Sequence, residues 1–319
     1  MNDKKFDVVE TETETDVQQE ERVNYIKEKL KGKSLFIGMP LYGGMGFAEN
    51  QTNVMSVINL GTKLGIPVRY QPLLGESLVQ RARNMLVQLF YDSEFTHMLF
   101  WDGDVVFENP MDVFIMLAFC GEDTLESKEQ MDIICAAYPK KVLAWDKVLI
   151  AAKSGLCDDN PERFADFACD YVVNFAHGST SVNLHKPIQI KEGGTGAMIF
   201  GRGVIEKHRK KFPNKKYTPD HRRSKEFNGD KPTYALFDCC IDEESNRYLS
   251  EDYFFSRESE KIGLKTFLLP WVKTFHIGQY KYKGDFEAML KLLNVAKNDY
   301  NIALSGPISK RQNQNNEGY

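Results

Sequence analysis

Asp102 and Asp104 flank a single glycine at the end of the apolar run Met98-Leu99-Phe100-Trp101, and a second apolar run, Val105-Val106-Phe107, follows at once. Two carboxylates one residue apart at a strand end can share a hard divalent cation, and the glycine between them lets the backbone turn close to a phosphate. Mg²⁺ or Mn²⁺ held in this way keeps positions open for diphosphate oxygens and neutralises charge on a leaving group. An Asp-x-Asp alone also occurs in plain surface turns. Here the apolar residues on both sides put the pair where a buried strand leaves a sheet, the place where α/β proteins bind ligands.

A second acidic pair, Glu251-Asp252, follows Leu249-Ser250 at the start of a helical pattern. Ser250 is a suitable N-cap and acids in a first turn are favoured by the helix dipole, which is a purely structural account. In the functional account, Glu251 or Asp252 faces an acceptor hydroxyl and orients it or takes its proton as general base. His276, in Phe275-His276-Ile277-Gly278, is explained by packing when taken alone. Beside the aspartates, its neutral imidazole is a good third ligand for Mn²⁺.

Gly193-Gly194-Thr195-Gly196 leads into a strand. No Lys-Ser or Lys-Thr follows it and no dinucleotide fingerprint fits, which leaves an ordinary turn or a close backbone approach beside a sugar and acceptor. Arg81 and Arg83 share a helical pattern and can pair bidentately with donor phosphates, although a solvated helix face accounts for one of the two. The basic residues between Lys207 and Lys231 suit a charged surface loop better than an anion site.

The elements that must position these residues alternate along the chain. Strands are expected at Leu35 to Met39, stopped by Pro40, and at Ile66 to Gln71, Met98 to Trp101, Asp132 to Ala137, Tyr171 to Phe175, Ile188 to Lys191, Ala197 to Phe200 and Thr266 to Leu269. Helices are expected from about Asn50 to Leu64, from Ser77 to Tyr91, and at about 202–211, 252–262 and 285–297. This alternation predicts an α/β fold.

The 319 residues are 42% hydrophobic and 12% aromatic, ample for a core. A formal net charge of -4 excludes the global basic field that would announce nucleic acid as main partner. Six cysteines without a CxxC pair are expected to be reduced thiols. Acidic residues stand where a signal peptide would need its apolar run, and no apolar run is long enough to span a bilayer, so a soluble, cytoplasmic protein with no integral membrane segment is expected. Residues 1–20, polar and acidic, and 305–319, rich in Asn and Gln, read as disordered tails around a single domain, 21–304, that ends in a C-terminal helix.

Over roughly residues 33–280 the order of features resembles the GT-A glycosyltransferases: Ile37-Gly38-Met39-Pro40, Arg81-Ala82-Arg83-Asn84, Phe100-Trp101-Asp102-Gly103-Asp104, Gly194-Thr195-Gly196, Ser250-Glu251-Asp252 and then His276. The resemblance implies a Rossmann-like, mixed but mostly parallel central sheet flanked by helices. It implies a hexosyltransferase that moves a sugar from a UDP- or GDP-sugar to a glycan or other hydroxyl acceptor with Mn²⁺ or Mg²⁺. Pro40, Leu41, Tyr42 and Gln71 would lie near base and ribose, and Arg81, Arg83, Gly194 and Thr195 would also contact the donor. Asp104 and His276 would bind the metal, Asp102 would touch the ribose or reach the metal through water, and Glu251 and Asp252 would face the acceptor. With no membrane anchor expected, the chain resembles the soluble bacterial, phage or large-virus members. Two other readings stay open, a nucleotidyltransferase acting on sugar phosphates and a glycan-binding domain without catalysis. The absence of basic residues from Met39 to Glu49 counts against the former.

Overall fold

The apolar run at Leu35 forms β1 (Leu35–Leu41), in which Leu35, Ile37 and Met39 join one core cluster and Phe36 the other, all fully buried. A strand that is apolar on both faces needs cover on both. The computed structural model describes residues 24–124, 128–176, 181–219 and 232–280, together with the short strands Asp7–Val9, Tyr300–Asn301 and Ser309–Lys310. After β1 come α1 (Ala48–Leu64), β2 (Val68–Leu74), α2 (Val79–Tyr91), β3 (His97–Trp101), β4 (Val105–Phe107), α3 (Met111–Phe119), β5 (Ile133–Cys135) and α4 (Trp145–Lys153). Then follow β6 (Val173–Phe175), β7 (Ile188–Gly193), β8 (Ala197–Gly201), α5 (Arg202–Lys211), α6 (Glu251–Lys261), β9 (Thr266–Leu268) and β10 (Thr274–His276).

Eight of these strands form one sheet in the order β2-β1-β3-β8-β5-β9-β7-β6. β1 is parallel to both neighbours and β9 to β5, whereas β8 and β7 run against theirs, so six strands point one way and two the other. The expected α/β architecture, a mixed and mostly parallel sheet flanked by helices, is the one found. Residues 35, 37, 99, 101, 197 and 199 pack with α1 and α3, while 36, 98, 100, 198 and 200 pack with α2, α5 and α6. β4 and β10 pair antiparallel outside this sheet, with His276 opposite Val105. The chain divides into two compact units, Met1–Ile277 and Gly278–Tyr319. In the first, Asp7–Val9 lies parallel to Ser181–Asn183. In the second, Tyr300–Asn301 pairs antiparallel with Ser309–Lys310. The rest of segments 1–20 and 305–319 and the helix expected at 285–297 lie outside the described residues.

Several boundaries differ from expectation for local reasons. β1 continues through Pro40 because its pairing with β3 ends at Gly38, so the missing N–H of proline costs no bond on that side. β2 starts after Ile66, whose N–H donates to the Gly61 carbonyl while Gly65, at φ 70°, closes α1 in the left-handed conformation. Helix α3 escapes a periodicity search because it is apolar nearly all round and buried. Helix α4 was likewise not expected. The basic stretch from Lys207 is not one loop: 207–211 belong to α5, Lys216–Tyr217 pairs with Thr233–Tyr234, and 220–231 lie outside the described residues. The six cysteines are free thiols. Among the described residues no helix is long and apolar enough to cross a membrane.

Helix α3 is fastened at its C-terminal end by Lys33, whose ammonium donates to the carbonyls of Leu117, Ala118 and Cys120 at 3.0, 3.0 and 2.9 Å. These carbonyls have lost or are losing their intrahelical partners, and a cation there also complements the helix dipole. Lys33→Met keeps the aliphatic stem and removes the donor. It is expected to lower stability by about 2 kcal/mol, the scale of a charged hydrogen bond lost to buried acceptors. An unchanged midpoint in urea denaturation would remove Lys33 from this role.

Candidate active site

The Asp102-Gly103-Asp104 turn is held from all sides through its backbone. Asn50, fully buried near the start of α1, donates through its amide nitrogen to the carbonyls of Asp102 (3.1 Å) and Val105 (2.6 Å). Trp101 Nε1 donates to the same Val105 carbonyl at 2.7 Å. The Asp102 N–H donates to the Gly196 carbonyl at 3.1 Å, and the Asp104 carbonyl accepts from Ile277 N–H at 2.7 Å. Gly103 is required by packing: a β carbon there would stand 2.4 Å from Leu41 Cδ2.

His276 comes to this turn because β10 pairs with β4. Its Nδ1 lies 2.7 Å from the Pro139 carbonyl, and a carbonyl only accepts, so the proton is on Nδ1. Nε2 then faces Asp104 Oδ1 at 3.4 Å. Lys141 reaches the other oxygen, Oδ2, from solvent. Burial alone would raise the Asp104 carboxyl, yet hydrogen bonds from His276, whose imidazole then carries a second proton on Nε2, and from Lys141 outweigh it and hold the carboxyl down at about 2. Among the described residues no three His, Cys, Asp or Glu side chains converge as a metal cage. The Asp104–His276 pair does suit a divalent ion that takes its remaining ligands from diphosphate and water. Its spacing is near the roughly 3 Å between adjacent ligands of an ion bonded at about 2.1 Å, and imidazole with carboxylate suits Mn²⁺.

Asp102 turns elsewhere. Its Oδ1 accepts from Arg83 Nη2 at 3.0 Å, and Arg83 Nε donates to Glu251 Oε1 at 3.0 Å. Arg83 is 3% exposed and its guanidinium carbon lies 5.1 Å from the Phe100 ring centroid. Burial alone would disfavour its charge, but Asp102 and then Glu251 outweigh burial and hold the guanidinium above its ordinary value. Its Nη1 is buried without a hydrogen-bond partner among the described residues. One residue on, Asn84 is structural: its side chain ties the backbone of Leu236 and Phe237 to α2.

Asp252 is buried, and its Oδ1 accepts from the Ser250 hydroxyl and from Tyr253 N–H (2.8 Å). Ser250 occupies the N-cap position without accepting a helix N–H, contrary to the capping expectation: its hydroxyl is turned to Asp252, whose Oδ1 takes the Tyr253 N–H that a cap would accept. Burial first, then the charge of Glu251, raises the Asp252 carboxyl above the ordinary carboxylate range, against those two hydrogen bonds and the Arg83 charge.

A cleft of about 300 Å³ opens between the turn, the loop after β1 and the start of α2. Pro40, Leu41, Tyr42, Arg83, Asp102 and Asp104 line it, with Tyr42, Met45 and Phe47 exposed at 68%, 81% and 40%. The parallel strands β1 and β3 both end at it. Gln71, Arg81, Gly194, Thr195, Glu251 and Asp252 do not line it. Gln71 accepts from Arg69 at 2.8 Å and donates to the Pro72 carbonyl at 3.2 Å. Arg81 donates to Glu76, which is itself buried and lines the cleft. Gly194 packs on Tyr138 so closely that a β carbon would stand 2.1 Å from its hydroxyl, and Thr195 is buried beside it. Glu251 is joined to the cleft through Arg83.

Sequence reasoning missed Lys141, Tyr138 and Glu76. Pro139 follows soon after the apolar run of β5 and marks a strand leaving the sheet, with Tyr138 just before it and Lys141 two residues after it. Burial first, then the charges of Asp102 and Asp252, pushes the Tyr138 phenol well above its ordinary value.

No protein-family model matches the chain, and no curated protein matches it. Among solved structures, the chain is similar to A197 from STIV, with a TM-score of 0.40 and 15% identity over 77% of this chain and 86% of that one. It is also similar to glucosyl-3-phosphoglycerate synthase from Mycobacterium tuberculosis in complex with Mn²⁺, uridine diphosphate and phosphoglyceric acid, with a TM-score of 0.30 and 11% identity over 67% of each chain. The same enzyme in complex with phosphoglyceric acid gives 0.28 and 12%, over 67% and 68%. The chemistry of the cleft rests on this chain's own residues.

The raised Asp252 carboxyl has a consequence for stability. Its contribution to folding is fully present below the unfolded carboxylate value, about 4, and is lost as pH rises through the higher folded value. Asp252→Asn keeps the accepting oxygen and removes the charge, so the variant is expected to melt above wild type at about pH 7 and with it at about pH 3. A variant that melts lower at both would show that the carboxylate's hydrogen bonds outweigh its burial.

Proposed function

We propose that the chain is a metal-dependent glycosyltransferase of GT-A type that moves a sugar from a UDP- or GDP-sugar to a hydroxyl acceptor. The observation that carries this reading is the meeting of Asp104 and His276, from separate parts of the chain, beside a cleft at the ends of the parallel strands. Asp104 Oδ1 and His276 Nε2 are the atoms that would hold Mn²⁺ or Mg²⁺. Such an ion supplies charge neutralisation to a departing diphosphate.

The chain's own residues take the other roles. Tyr42, Met45 and Phe47 offer an exposed apolar rim on which a nucleobase can lie, and Pro40 and Leu41 form the floor beside it. Arg83 lines the cleft beside the donor while keeping Asp102 and Glu251 neutralised. Lys141, flexible and half-exposed, approaches the same carboxylate as the metal and is suited to meet phosphate oxygens. Asp252, with its raised carboxyl, suits a base that takes the acceptor proton in an inverting transfer. In a retaining transfer Glu251 and Asp252 position the acceptor only. Gln71, Arg81, Gly194 and Thr195 support the donor site from outside the cleft lining.

A thermal-shift screen of nucleoside diphosphates with and without Mn²⁺ tests the reading, because a ligand that binds only the folded state raises Tm by mass action. UDP or GDP is expected to stabilise the wild type only with Mn²⁺, and Asp104→Ala to abolish that shift and metal-dependent hydrolysis of the matching sugar nucleotide. A metal-dependent shift and hydrolysis that survive in Asp104→Ala would sink the assignment.

A further inference from the structure

Tyr138 touches both halves of the site and belongs to neither acidic motif. Its ring stands edge-on to His276, with centroids 5.5 Å apart and planes at 90°. Its hydroxyl accepts from Gly196 N–H at 3.3 Å, and the Gly196 carbonyl in turn accepts the Asp102 N–H at 3.1 Å. The fit leaves no slack, since a β carbon on Gly194 or Gly196 would stand 2.1 or 2.7 Å from the phenol. The segment around Tyr138 also holds β10 directly: the Thr274 hydroxyl donates to the Ala137 carbonyl at 3.1 Å and His276 Nδ1 to that of Pro139 at 2.7 Å. Tyr138 is 6% exposed, so it contacts no bulk ligand and acts through its neighbours.

We propose that Tyr138 is a positioning residue that sets His276 against the Asp102-Gly103-Asp104 turn, its ring fixing the imidazole plane and its hydroxyl fixing the backbone that anchors Asp102. This rests on the reading of Asp104 and His276 as cation ligands. Groups that orient a metal-binding histidine govern affinity for the ion without touching it. The ring and the hydroxyl act on different halves, so they are separable by substitution.

The test uses the full-length protein, with bound Mn²⁺ read from the loss of its free-ion EPR signal in the presence of UDP or GDP. Nucleotide affinity is measured by calorimetry at saturating Mn²⁺, and melting temperature is recorded for each variant. Tyr138→Met fills the volume without a flat edge and is expected to raise the Mn²⁺ concentration for half-saturation about tenfold. Tyr138→Phe keeps the ring and is expected to leave that concentration unchanged while weakening nucleotide binding about threefold, the scale of one neutral hydrogen bond. A lowered melting temperature with wild-type Mn²⁺ and nucleotide affinities marks Tyr138 as purely structural and overturns the inference. Should Tyr138→Met fail to fold, wild-type nucleotide affinity in Tyr138→Phe overturns it alone. A wild-type protein that binds Mn²⁺ with neither nucleotide overturns the proposed function and this inference together.

Discussion

A guanidinium with almost no access to water needs counter-charge within the protein, and that need organises the site. Arg83 on α2 draws Asp102 from the end of β3 and Glu251 from the start of α6 to a single point. Removing either partner leaves a poorly compensated buried charge, a change that typically costs about 3–5 kcal/mol. Two acidic motifs far apart in sequence are thereby made neighbours by one basic residue. The same residues therefore serve folding and, in the proposed reaction, chemistry. Asp252 is the opposite case, because burial works against its charge. In the proposed reaction stability and activity are aligned at Asp102 and Glu251 and opposed one residue later.

The turn between β3 and β4 illustrates how precision is achieved without side-chain crowding. Its carboxylates are left facing the cleft and its neighbours while its peptide groups are taken up by Asn50, Gly196 and Ile277. Fixing a loop by its backbone leaves the side chains available to ligands, and rigid positioning is what a site must have before binding energy can be used for chemistry.

The continuous apolar runs of β1, β3 and β8 were legible because both faces of the sheet are covered, and the two acidic motifs were legible because short polar clusters interrupt apolar patterns. Helix α3 was hidden for the converse reason, since burial all round erases periodicity. The partnership of Arg83 was not legible. A helical arginine beside a second one reads as solvated or phosphate-binding, and only the tertiary arrangement shows that it is committed to Asp102 and Glu251. The glycines at 194 and 196 read as an ordinary turn or a close approach to a ligand, and their smallness also makes room for a tyrosine that local sequence does not associate with them. Tertiary partners of this kind are set by packing between distant segments, which no local pattern encodes.

The placement of β8 between β3 and β5 bears on how the polypeptide emerges from a ribosome. Once β1, β2 and β3 exist, the free edge of β3 is the apolar run His97–Trp101, and the strand that covers it is made only after the whole stretch holding α3, α4 and β7 has been synthesised. An uncovered apolar edge invites pairing with other chains. A nascent chain that ends before Ala197 thus leaves that edge open to pairing with other chains.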